Sequence, residues 1–304
     1  MARPHAAGSL RRFTTRHRGC VAHSRLRGVI ATFSKPWKHA HLCYAAAVKR
    51  LLFIGWLVLT LVGRGATPDV DHDTLYQFST IPVLLAGLYD GEWTCGEVRQ
   101  HGDLGLGTFD ALDGEMVVLD GHCYRSGSHG KAMLVSDAEK TPFACVTFFE
   151  PDLLVSNMTV GSLSEFTAAL DRQLPSPNVF FALRLDGEFG YMKTRSVPRQ
   201  TKPYRPLTEI VKTQPTFEWR NVRGTLLGFR CPAFASELNV TGWHLHFITA
   251  TRTGGGHVLD LRLTNQTAAL DITPAFRVTL STNVAFLKLK LGADSSDAVR
   301  KVEK

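Results

Sequence analysis

No aspartate or glutamate occurs in the first 50 residues of this 304-residue chain, although they carry 11 of its 35 lysines and arginines. What remains has 24 basic against 27 acidic residues, so the net charge of +8 comes from the head. A mildly acidic body offers no electrostatic footprint for a phosphate backbone, which excludes nucleic-acid binding. No cysteine stands in a C-x-x-C pair, and this argues against a thiolate zinc site. The apolar run Leu51–Val62 is shorter than the ~20 residues of a membrane-spanning helix, so the mature chain is expected to lack stable membrane insertion. Repeats of fixed period and low-complexity tracts are missing too. "HGDLGLG" has glycines but no strand-then-helix context, which argues against a phosphate loop.

What is there begins with a leader. Lys49 and Arg50 precede the apolar run, and Gly63 and Gly65 follow it, the three-part layout of a secretory signal over residues 48–65. Residues 1–47 then read as an over-extended start, with a transit-like leader as the rival reading. Export to the periplasm or cell exterior is expected, the alternative being a cytoplasmic protein. Sequencing the mature N-terminus decides: a first residue near Gly65 to Thr67 supports export, and an intact Met1 ends the idea. Past the leader stand Cys95, Cys123, Cys145 and Cys231. Export would allow one or two disulfides, which spacing cannot assign, and buried free thiols are the plainer reading.

From Asp71 onward strand and helix signals alternate. Pro82 starts a helix in "IPVLLAGLY" after Ser79-Thr80, to end near Asp90-Gly91. Asp113-Gly114 and Asp120-Gly121 are hairpin signals. Ser162 and Glu165 make a capping box ahead of the stripe Leu163, Phe166, Leu170 and Leu174. "NVFFALRLDGEFGYMKTRSVP" reads as a long hairpin about Asp186-Gly187, and "TFEWRNV", "GTLLGFRCP", "GWHLHFITA" and "HVLDLRL" as separate strands. The proline-rich "SVPRQTKPYRP" is the expected domain boundary. The pattern predicts an α+β (α/β) body of two domains, each built on a mixed β-sheet with flanking helices, over residues 66–205 and 206–304.

Three of the 12 histidines lie in "GWHLHFITATRTGGGH". In a strand, residues two apart project on one face about 6.6–6.8 Å apart, so His244 and His246 can converge on one ion. His257 is the candidate third ligand, completing three protein ligands with open positions, the build of a catalytic metal site. A tight hairpin centred on the glycines would set His257 opposite residue 250 or so, out of register with His246. The chain between 247 and 256 is therefore expected to form a wide or bulged loop. The alternative is an exposed H-x-H with an unrelated turn histidine.

Four segments, "LYQFSTIPVLLAGLYDGEWTCGE", "HGDLGLGTFDALDGEMVVLDGHCYR", "FFALRLDGEFGYMKTRSVPRQTKPYRPL" and "WHLHFITATRTGGGHVLD", resemble in order those of the alpha-acetolactate decarboxylase family. The resemblance spans most of residues 74–291 and omits the leader. It implies a two-domain fold and a homodimer whose N-terminal sheets join. It also implies a zinc-dependent enzyme that converts (S)-2-acetolactate to (R)-acetoin and carbon dioxide through a metal-bound enediolate, protonated stereoselectively. By the same resemblance His244, His246 and His257 hold Zn2+, Glu115 and Arg195 act in the active site, Thr108 lies beside the substrate, and Glu303 of the tail folds over the metal. Read alone, Glu115 and Thr108 are turn residues, Arg195 is a surface arginine and Glu303 sits in a solvated end. The rival functions are another metal-dependent enzyme, such as a non-haem oxygenase, and an exported binding protein without turnover.

Overall fold

The computed structural model describes residues 70–291 and 296–303, without the side chains of Ser296, Arg300 and Glu303. The leader (1–65), its signal-like segment (48–65) and the Glu303 side chain therefore lie outside the described residues. No helix among the described residues is long and apolar enough to cross a membrane.

Two stacked sheets carry the site. The first has seven strands: β1 (Thr74–Phe78), β3 (Leu104–Thr108), β4 (Glu115–Leu119), β5 (His122–Ser126), β6 (Ala132–Leu134), β8 (Ala144–Thr147) and β14 (Ala275–Thr279), in the order β14-β1-β8-β3-β4-β5-β6. It is mixed, because β14 runs parallel to β1 while the other pairs are antiparallel. The second has β9 (Leu153–Val160), β10 (Phe180–Arg195), β11 (Thr216–Cys231), β12 (Gly242–Thr249) and β13 (Gly255–Thr273), in the order β10-β11-β12-β13-β9 with β10 also paired to β13. Here every pair is antiparallel, so only the first sheet is mixed as expected. A small ribbon pairs β2 (Trp93–Thr94) with β7 (Lys140–Thr141). Few and short helices beside so much sheet make an α+β fold.

Side-chain alternation sorts the core into layers. In β4, Val117 and Leu119 face the second sheet, where they meet Ala182, Leu227, Phe229 and Ile248 in one buried cluster. The first helix, α1, is Ile81–Leu85, and the second, α2, is Cys95–Arg99; Met116 and Val118 point the other way, into a cluster with Cys95 and Val98 of α2. The outer face of the second sheet is covered by α3 (Leu163–Asp171), whose Phe166 and Leu170 share one buried cluster with Leu245 and Phe247 of β12. Ser162 caps α3 by accepting from the Glu165 amide at 3.2 Å, while the Glu165 carboxylate takes the Gly161 amide instead of closing the box.

Several expectations change. Asp186-Gly187 is no turn: β10 is continuous, and Asp186 and Gly187 pair with Thr225 and Gly224 of β11. The Thr225 hydroxyl donates to the Asp186 carboxylate at 2.6 Å, giving that aspartate an in-strand partner, and a bulge against β13 absorbs the irregularity. "TFEWRNV" and "GTLLGFRCP" likewise join into the single strand β11. Helix α1 stops at Leu85, well before Asp90, because Gly87 turns the chain at φ +86°. Sheet membership also ignores the 205/206 boundary. Strands β9 and β10 belong to the second sheet, and β14 returns to the first.

Candidate functional site

The histidines emerge from β12 and β13 on the face turned toward the first sheet. Alternation gives Leu245 and Phe247 to the outer core and leaves His244 and His246 facing inward. The hairpin pairs Thr249 with Gly254 and turns within 250–253, where Arg252 adopts φ 59°. This sets His257 directly opposite His246. The wide or bulged loop expected over 247–256 is not found: Phe247 and Ile248 pair with Gly256 and Gly255, a short turn suffices, and the glycines lie beyond it, in β13, where they serve close packing. A Cβ on Gly256, at φ +140°, would stand 2.4 Å from the Arg195 carbonyl oxygen. Gly256→Ala should cost roughly 2–4 kcal/mol and separate Arg195 from His257. A urea melt that matches the parent chain would contradict this.

The ligand atoms of His244, His246 and His257 lie within 4.8 Å of one another, and all three residues are buried. Their ring centroids are 5.0 to 5.4 Å apart. The His246 Nδ1–H donates to the Met116 carbonyl of β4 at 2.8 Å, a bond between the two sheets. A carbonyl can only accept, so the proton sits on Nδ1 and Nε2 keeps its lone pair. That Nε2 is buried with no hydrogen-bond partner. Burial, reinforced by the Arg195 cation, lowers the His244 pKa to about 3. His246 is held well below the usual range by burial, then by His244, against the Met116 bond. Neutral imidazoles with converging lone pairs are what a divalent ion requires, and the residues fit a metal.

Arg195 ends β10 opposite His257 and is 3% exposed. Its Nη1 donates to Gln214 Oε1 at 2.9 Å and its Nη2 to the Val302 carbonyl at 2.7 Å. Its Nε–H is buried with no hydrogen-bond partner, a donor left for a ligand. Glu115 opens β4 opposite Thr108 of β3. Its carboxylate lies 3.7 Å from Arg195 Nη1 and 3.7 Å from His246 Nε2. Thr108 Oγ1 donates to the Gly114 carbonyl at 2.8 Å. Val302 belongs to the terminal helix α6 (Ser296–Glu303), which follows α4 (Leu207–Ile210) and α5 (Val284–Lys288) in the chain. Val299 and Val302 are buried in the inter-sheet core.

These groups line one cavity with Leu84, Leu112 and Val197. It encloses about 50 Å³, several times the ~10–15 Å³ that one water needs on the same measure. Every predicted site residue with a described side chain is therefore gathered here: Thr108, Glu115, Arg195, His244, His246 and His257. Val197, two residues beyond Arg195, lines the cavity. Phe189 packs instead on Phe247 in the outer core, because register shifts along β10 break its parity with Arg195.

The family profile described as alpha-acetolactate decarboxylase matches residues 75–293. This chain belongs to that family. An alpha-acetolactate decarboxylase of Methanosarcina mazei is 48% identical over 240 residues, covering 78% of this chain and 83% of that protein. One from Bacillus subtilis is 41% identical, covering 81% and 95%. The crystal structure of alpha-acetolactate decarboxylase from Bacillus subtilis strain 168 superposes with a TM-score of 0.73 at 40% identity, over 76% of this chain and 99% of that one.

Sequence reasoning missed three supports of the site: Gln214, the Met116 carbonyl and the Val302 carbonyl. Two are backbone atoms, which leave no trace in residue type, and Gln214 sits in "VKTQP" with no motif around it. Gln214→Ala should remove one anchor of the guanidinium and lower kcat/KM about 10- to 100-fold with metal content unchanged. Gln214→Glu keeps the acceptor and should retain most of the rate. Equal losses in both variants would show that the contact does not position Arg195.

Proposed function

We propose that this chain decarboxylates (S)-2-acetolactate to (R)-acetoin and carbon dioxide with a zinc ion held by His244, His246 and His257. The observation that carries the reading is the buried imidazole triad facing Arg195 and Glu115 across one small cavity, in a chain of this family. When bound, zinc supplies Lewis acidity where negative charge develops on the substrate's ketone oxygen.

The chain's own residues do the rest. Arg195, fixed by Gln214 and the Val302 carbonyl, orients the carboxylate through its remaining Nε–H. Tight pairing of the departing group would stabilise the ground state, so the role of Arg195 is orientation and the holding of charge as the enediolate forms. The Thr108 proton is committed to Gly114, which leaves its oxygen to accept from the substrate hydroxyl. Glu115, buried beside His246, delivers a proton to one face of the enediolate carbon, and that one-sidedness gives a single enantiomer. Leu84, Leu112, Val197 and Val302 keep bulk water out. Glu303 follows Val302 in α6 and is assigned to the site by resemblance alone. Export of the mature chain and a homodimer complete the proposal.

Incubation with racemic acetolactate, chiral analysis of the acetoin and an oxygen electrode test it together. Chelator-sensitive release of one acetoin enantiomer without oxygen uptake is expected. Oxygen consumption would point to an oxygenase, and metal-loaded protein that forms no acetoin would point to a binder.

A further inference from the structure

Two cysteines outside the active site face each other. Cys95 is the first residue of α2, and its amide donates to the Glu139 carbonyl at 2.8 Å. Cys123 lies in β5, and its carbonyl accepts from the Val135 amide at 3.0 Å. One short segment, 135–139, thus fixes both backbones, and the two thiols share the core cluster between α2 and the first sheet. They are in hydrogen-bond contact, with both residues buried. Cys145 is differently placed: it donates to Gln77 Oε1 at 3.4 Å and accepts from Asn239 Nδ2 at 3.2 Å, so amide groups occupy its sulfur.

We propose that Cys95 and Cys123 join as a disulfide, stapling α2 to β5, when the chain folds in the presence of a disulfide-bearing oxidant. The Cys95 thiolate attacks the oxidant's sulfur and expels one thiol. Cys123, deprotonated, then attacks the Cys95 sulfur of the mixed disulfide and expels the second. One S–S bond forms and one breaks, the two protons pass to the released thiols, and two electrons reduce the oxidant. The balance is the same whichever of the two thiolates attacks first. Both sulfurs are buried once folded, which places the reaction during folding and protects the bond afterwards.

The test uses the full chain, translated in a cell-free system buffered with oxidised glutathione, alkylated and mapped by mass spectrometry without reduction. A linked Cys95–Cys123 peptide is expected, with Cys145 alkylated. The melting temperature should fall by several degrees on reduction, a shift absent from Cys123→Ser. Recovery of Cys95 and Cys123 both alkylated, or of Cys95 linked elsewhere, overturns the proposal.

Discussion

His246→Ala is expected to purify without bound metal and to form acetoin at least ~10³-fold more slowly than the parent enzyme. Two effects combine. The triad loses its central donor, and the Met116 carbonyl loses the imidazole N–H that it accepts at 2.8 Å. An unsatisfied buried carbonyl costs about 1–3 kcal/mol, so the variant should also melt lower. His122→Ala is the control, since that side chain is exposed on β5. Elemental analysis, an acetoin assay and a thermal melt on both variants separate ligand loss from unfolding. Metal retained at full stoichiometry in a folded His246→Ala protein, with turnover within tenfold of the parent, would remove the triad from the chemistry.

Substitution of Arg195 should act on turnover and leave the metal in place. Arg195→Ala is expected to lower kcat by about 10²–10⁴. Arg195→Lys keeps the charge but cannot serve Gln214, the Val302 carbonyl and a ligand at once, so it should recover little of the rate. Stability changes separately. Glu115 would remain buried without its neighbouring cation, a loss of up to about 3–5 kcal/mol. Removing that charge as well, in Arg195→Met with Glu115→Gln, should restore the melting temperature without restoring activity. Near-parental kcat in Arg195→Lys would mean that charge alone matters and that the fork geometry does not.

The sequence showed the ligands better than the strands that carry them. Alternation in "GWHLHFIT" placed His244 and His246 on one face, and β12 does so. His257 is legible as the third donor, but the wide or bulged loop expected over 247–256 is replaced by regular pairing up to a short turn. Here the glycines let β13 pass close to β10 and β12, and the turn uses Thr251 and Arg252 instead. Asp186-Gly187 misled for a related reason: a two-residue turn signal is local, and fourteen cross-strand pairings of β10 with β11, on either side of Gly190, outweigh it. The return of β14 to the first sheet was not legible either. Nothing in "AFRVT" announces a partner as distant as Thr74–Phe78, because the pairing is non-local and leaves no mark in neighbouring residues.

The His246–Met116 bond fastens a would-be metal ligand to the opposite layer of the molecule. Whatever the triad captures therefore contributes its binding free energy to the adhesion of one sheet to the other. By mass action, the resistance of these layers to parting should climb with the logarithm of free metal. Ion occupancy and architectural cohesion are then a single equilibrium, and the same atoms that bind the cation hold the slabs together.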